Sequence, residues 1–152
     1  MRYYLMESPE HTSLPLASRD SIITISDKLD YINEIDYDER NSIISDRLKS
    51  LIQMYIPSME FDPVVFASTD GIINAQFWSF IPPKHDDIET IYKGNGLITH
   101  IKLIGDKRPL VFSAISPRGN RSVVVQMAIV ESAYRRSILG VRFTKLLDYN
   151  TL

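Results

Sequence analysis

SDRLKSLIQMYIPSMEFDPVVF, residues 45–66, is the stretch that decides the fold. Leu48, Leu51, Ile52 and Tyr55 stand at i, i+3, i+4 and i+7, the apolar stripe of an amphipathic helix. Ser45 or Asp46 can cap that helix, because a short side-chain oxygen accepts from the first free backbone N–H groups. Pro57 stops it, having no N–H to donate and a ring that collides with the preceding turn. The β-branched and aromatic run EFDPVVF then reads as a strand. A second stretch, QMAIVESAYRRSILGVRFTKLL at residues 126–147, repeats the pattern. Met127, Val130 and Tyr134 share a helical face with Ala133 and Ile138, Gly140 sits where a left-handed C-terminal residue belongs, and VRFTKLL reads as a strand. The spacing predicts helices over 46–55 and 127–137, with Leu48, Leu51, Ile52, Val130 and Tyr134 packed on a sheet. The two stretches share little identity and read as two copies of one supersecondary unit.

Strands fill the rest of the chain. RYYLM at residues 2–6 is aromatic and extended, and Ile22–Ile25 is short. INAQFWSFI, residues 73–81, pairs with EFDPVVF as a hairpin across Asp70-Gly71, where glycine takes the positive φ of a tight turn. In that strand Phe77 faces one side, and Trp78 and Phe80 face the other. One face is core, and the other is either core under a helix or an exposed anchor for a partner. LITHIKLI (97–104), LVFSAI (110–115) and VVV (123–125) follow. LVFSAI is a continuous apolar run and reads as a central strand buried on both faces. Many strands with two clear helices imply an α+β protein, with a mixed, mainly antiparallel sheet and two principal helices. A chain of 152 residues suits a single domain spanning residues 1–152.

Composition narrows the function. The chain has no cysteine, which removes disulfides and thiolate chemistry and fits a reducing compartment. Met1–Glu10 carries acids and aromatics without an apolar h-region, so no signal peptide is expected there. No run approaches the ~20 apolar residues of a membrane span. A cytoplasmic protein with no membrane partner is the expectation.

Motifs of catalysis are missing. His11, His85 and His100 lack the i, i+4 spacing of a helical metal site. His85-Asp86-Asp87 is adjacent in sequence and flanked by proline, and reads as a solvated loop, while His100 reads as a half-exposed strand residue. There is no nucleophile elbow and no P-loop. The carboxylate pairs Asp36/Asp38 and Asp86/Asp87 lie in polar runs that are normally solvated, whereas catalytic carboxylates need burial or a like-charged neighbour. No catalytic residue, no metal and no cofactor is assigned, and the chain is expected not to be an enzyme. Lys107-Arg108, Arg118, Arg121 and Arg135-Arg136 are basic but are not interleaved with aromatics, so direct nucleic-acid binding is not expected.

Charge is unevenly spread. Residues 1–76 hold 6 basic and 13 acidic side chains, and residues 77–152 hold 11 basic and 6 acidic. Either the surface is simply uneven, or it is a dipolar surface that steers a charged partner. The acids concentrate in SDKLDYINEIDYDERNS, residues 26–42, which reads as a loop or a ragged helix. Asp27, Asp30, Tyr31, Glu34, Asp36, Tyr37, Asp38 and Glu39 are the candidate partner-binding residues. Acids around tyrosines suit a basic protein surface, with charge guiding approach and rings supplying buried area. On that reading, reversing Asp36 and Asp38 to Lys slows association and leaves the fold intact. The alternative is a solvated, partly mobile loop.

Taken in order, MRYYLM, ISDRLKSLIQMY with MEFDPVVF, FWSFI with ITHIKLI, and PLVFSAI with VVVQMAIVESAYRRSILGVRFTKLL resemble a known family. It is that of the predicted immunity proteins of bacterial polymorphic toxin systems, formerly described as a domain of unknown function. The resemblance covers most of the chain from residue 43 onward and is most specific at Gly140-Val141-Arg142-Phe143. The chain departs from the family pattern in residues 26–42 and in its short, proline-marked middle. The resemblance implies a protein that binds and neutralises a cognate protein toxin by occluding its active site, and it carries over no catalytic residue. An adaptor or structural protein of a secretion or regulatory complex, and an unrecognised enzyme, remain the alternatives.

Overall fold

The computed structural model describes residues 2–9, 14, 22–25, 32–68 and 74–149. In chain order the strands are β1 (Tyr3–Glu7), β2 (Ile22–Ile25), β3 (Tyr37–Asp38), β4 (Ile43–Ser45), β5 (Pro63–Ser68) and β6 (Asn74–Ser79). They continue with β7 (Ile88–Tyr92), β8 (Ile98–Leu103), β9 (Val111–Ile115), β10 (Arg121–Gln126), β11 (Arg142–Lys145) and β12 (Leu147–Asp148). The helices are α1 (Asp46–Tyr55) and α2 (Met127–Arg135), with a 3-10 turn at Ile32–Glu34. This is an α+β fold in which antiparallel pairing dominates. The chain, expected from its length to be one domain, divides into two compact units. One comprises Met1–Met6, Ile81–Ser132 and Phe143–Leu152, and the other Glu7–Phe80 and Ala133–Arg142. Among the described residues no helix is long and apolar enough to cross a membrane.

The second of these units holds a sheet of order β2-β5-β6-β4-β3. β5 and β6 form the expected hairpin, from Pro63 opposite Trp78 to Ala67 opposite Asn74, while Asp70-Gly71 lies outside the described residues. Ser45 is the N-cap of α1, its hydroxyl accepting from the Leu48 N–H at 3.2 Å. Leu48, Leu51 and Ile52 are fully buried, as their spacing predicts. The Trp78 side of β6 lies against α1: the indole N–H donates to Asp46 Oδ1 at 3.0 Å, and the Lys49 ammonium stands 3.8 Å over the ring centroid. Phe77, on the opposite face, is edge-on to Phe66 at 5.5 Å in a core with Ile32, Ile35 and Ile43.

The other unit holds two sheets, of order β11-β1-β10-β9 and β12-β8-β7. Tyr3, Leu5, Phe112 and Val124 from the first sheet share one core with Ile88 and Ile101 from the second. LVFSAI is buried on both faces, but β9 is an edge strand and not a central one. An apolar run reports how a strand's faces are covered and says nothing of how many strands flank it. Both repeated stretches end as a strand, a helix and a strand with a third strand between: β4-α1-β5 around β6, and β10-α2-β11 around β1.

Two details of α2 differ from expectation. Its buried stripe is Ile129, Val130 and Ala133, and Tyr134 is 54% exposed, because the residue after Ala133 is turned about 100° away from it. The helix also ends earlier than Gly140. Ser137 takes the left-handed conformation (φ 55°), its N–H donating to Tyr134 O at 3.1 Å, and the Ile138 N–H donates to Ala133 O at 2.9 Å. Those two bonds form a Schellman cap with Ile138 buried behind it. Serine in that conformation is disfavoured by its Cβ, so Ser137→Gly should stabilise by about 0.5–1 kcal/mol, net of the extra freedom glycine has when unfolded. A thermal melt should rise by roughly 2–4 °C, and a fall would refute the cap.

Candidate functional site

The acidic segment is built around a buried carboxylate. Asp36 has no exposed surface, and it accepts four hydrogen bonds. Arg47 Nε and Nη2 grip it in a fork at 2.5 and 2.7 Å, the Ser45 hydroxyl donates at 2.6 Å, and the Gly140 N–H donates at 2.7 Å. The backbone joins in: the Asp36 and Tyr37 N–H groups both donate to Gly140 O, at 2.8 and 3.1 Å, and the Ser45 N–H donates to Asp36 O at 2.8 Å. Every lone pair of the ion is matched by a donor, which is the condition under which a buried charge is tolerable. The hydrogen bond to Asp36 raises the Arg47 guanidinium further above its ordinary range. Thus the segment is not mobile at this point: it is tied at once to the cap of α1 and to the chain after α2.

Tyr37 and Asp38 are buried as well. Burial, then the Glu39 and Asp38 carboxylates, push the Tyr37 phenol well above its ordinary range. Asp38 shapes the turn between β3 and β4, accepting from the Arg40 N–H at 3.1 Å and the Asn41 amide at 2.7 Å, while Ser42 takes a positive φ of 52°. These three residues are therefore structural, and the expectation that Asp36 and Asp38 can be reversed without harm to the fold is overturned. The reason is that each carboxylate finds its donors inside the protein. Glu34 and Glu39 remain exposed, and Asp27, Asp30 and Tyr31 lie outside the described residues.

Glu39 is the acid held under repulsion. Its N–H donates to the Ser8 hydroxyl at 2.7 Å, which brings it to the Glu7 side of the unit. Although its side chain reaches solvent, partial desolvation by the surrounding corner raises its pKa most, then the Glu7 carboxylate, with Arg142 opposing and Asp38 adding to the rise. Arg142 binds this corner from the other direction, 3.8 Å from Glu7 and donating to Ser8 O at 2.9 Å. An acid whose folded pKa is raised stabilises the fold only below its unfolded pKa, and that stability is lost as pH rises through the folded value. Glu39→Gln should therefore melt higher than the parent at pH 7, with the gap closing as the pH falls below the ordinary carboxylate range. A gap independent of pH would exclude the electrostatic origin.

His85 and Asp86 line a cleft of about 500 Å³ in the other unit. Asp87 is turned elsewhere, accepting from the Lys107 N–H at 2.7 Å. Among the described residues no three His, Asp or Glu side chains form a group that holds a metal ion. Nothing in the sequence marks the Arg47 contact with Asp36, and Gly140, which reads there as a helix C-terminal residue, proves to be a donor to Asp36 instead. Gly140 stands 104 residues from Asp36, so no local pattern announces the pair. No family model, no curated protein and no solved structure matches the chain.

Proposed function

We propose that the chain is an immunity protein of the bacterial cytoplasm that binds a cognate protein toxin and blocks its active site. The observation that carries this reading is the acidic corner: the exposed Glu39 is held through its N–H to Ser8, next to Glu7, on a segment tied down by the buried Asp36. Arg142 offsets part of the repulsion from beside Glu7, and the repulsion that remains contributes nothing to folding, so a partner that benefits from it is the natural account. A basic surface, of the kind that grips phosphate in a nuclease toxin, meets this corner with fast, salt-sensitive association. Because residues 36–39 are already tied down by their own hydrogen bonds, binding there forfeits little conformational entropy. Tyr37 and Asp36 supply the scaffold, and the exposed acids Glu34 and Glu39 supply the contact.

The test pairs the full chain with the toxin domain encoded beside its gene. Co-expression should protect cells from that domain, and stopped-flow mixing should show association that slows steeply with salt. Replacing Glu34 and Glu39 with Lys should cut the low-salt association rate by about tenfold and flatten the salt dependence. Absence of a complex together with absence of protection would end the immunity reading. Protection with unchanged association rates would move the interface elsewhere.

A further inference from the structure

The two sheets of the β1-containing unit wrap one core without closing around it. The chain running from β11 into β12 passes from one sheet to the other, so they are continuous on that side. On the opposite side both sheets end, one at β9 and the other at β7, and residues of both strands line the 500 Å³ cleft. The seam is pinned at two points. The Ser113 N–H donates to Pro83 O at 2.9 Å, and Arg118 Nη2 donates to Gly94 O at 3.1 Å, tying the turn after β9 to the turn after β7.

Hydrogen-bond phase decides what the seam presents. In an antiparallel ladder, alternate residues exchange bonds with the neighbour, and those between turn their N–H and C=O to the other side. The Gln126 N–H donates to Leu110 O at 2.9 Å and the Ser116 N–H to Asn120 O at 2.8 Å, so Phe112 and Ala114 are the β9 residues that bond β10. Ile115 therefore directs its backbone groups into the seam. The Ile104 N–H donates to Asp87 O at 2.9 Å, so Glu89 and Ile91 are the β7 residues that bond β8. Ile88 and Thr90 direct theirs into the seam. Among the described residues, the backbone groups that Ile88, Thr90 and Ile115 turn outward have no hydrogen-bond partner.

Edge strands are normally protected by charge, proline or a bulge. β9, with the sequence VFSAI, carries no charge and no proline. Pro83 occupies its edge at Ser113, whose hydroxyl also donates to Pro82 O, while β7 carries Glu89 and a register irregularity at Ile91/Tyr92, beyond Ile88 and Thr90. What completes such a seam is another extended backbone. Its side chains are specified too: Ile88, Phe112 and Ala114 face the core, while Glu89 is exposed on the outer side.

We propose that this seam takes an extended segment of a partner protein, an amphipathic strand whose apolar side chains point inward and whose polar or cationic ones meet Glu89. The strand joins β7 and β9 through main-chain hydrogen bonds. This surface belongs to the unit that lacks the acidic corner, so it stands or falls separately from the immunity reading.

The experiment uses the full chain and a displayed library of peptides about nine residues long, with Val, Ile or Phe at alternate positions and Lys, Thr or Ser between. The strongest binder is synthesised as the probe. It should bind in the micromolar range and slow amide exchange at Thr90 and Ile115. Thr90→Pro and Ile115→Pro each remove an outward N–H without breaking a ladder bond, and should weaken the probe about tenfold while leaving the melt nearly unchanged. The probe with alternate amides N-methylated tests the same bonds without altering the protein, and should also bind about tenfold more weakly. A library that yields no binder, protection confined to other amides, or equal affinity for both proline variants and the methylated probe would overturn the proposal.

Discussion

Gly140→Ala is expected to lower the melting temperature by about 10 °C, or to abolish folding of the unit that contains it. A Cβ at this position would stand 2.0 Å from Glu34 O and 2.5 Å from Asp36 N, both backbone atoms, and 2.7 Å from Asp36 Oδ2. Neither backbone contact can be relieved by a rotamer change. The chain after α2 has to move away, and the movement breaks the bonds that Gly140 makes through both its N–H and its carbonyl. Overpacking and the loss of those bonds together amount to about 3–5 kcal/mol. The glycine is thus required for close approach of two backbones, not for a left-handed cap, since its φ is not positive and Ser137 ends the helix. Far-UV circular dichroism against temperature checks this. A variant that melts within 2–3 °C of the parent, roughly 1 kcal/mol, would show that the approach of these two segments is not required.

Asp36→Ala is expected to destabilise by about 3–5 kcal/mol, the usual consequence of removing one partner of a buried ion pair. The Ser45 hydroxyl and the Gly140 N–H lose their acceptor, and the α1 cap loses the group that orients it. Arg47→Ala should cost less than Asp36→Ala, because Arg47 is half exposed and its removal leaves the carboxylate two of its four donors. The double variant should be no worse than Asp36→Ala alone, since most of the coupling resides in that pair. The Asp36 carboxylate is itself fully buried, so most of the loss should persist at high ionic strength. By contrast, Glu34→Lys at the exposed position should stay within about 0.5 kcal/mol of the parent. Urea denaturation of the four variants beside the parent separates these outcomes. Equal, small losses for Asp36→Ala and Glu34→Lys would mean that the clamp contributes no stability.

The contrast between Asp36 and Glu34 shows where sequence reading stops. Both are acids in one charged run, two residues apart, and nothing in their neighbours distinguishes them. One is enclosed by donors from Ser45, Arg47 and Gly140, and the other meets solvent. Charge density along a chain measures how many ions there are, not which of them find partners inside.

What the sequence determined by itself is what depends on near neighbours. The span of α1, its serine cap and its three buried residues follow from the 3.6-residue period and from the reach of one hydroxyl. The β5–β6 hairpin and the separation of Phe77 from Trp78 follow from the two-residue alternation of a strand. Tertiary structure alone decided that β9 is an edge, that Tyr134 faces out, and that Asp36 and Gly140 meet across 104 residues. Those outcomes depend on which segments come to lie side by side, and that is set by burial summed over the whole core. No residue pattern within one turn or one strand records it.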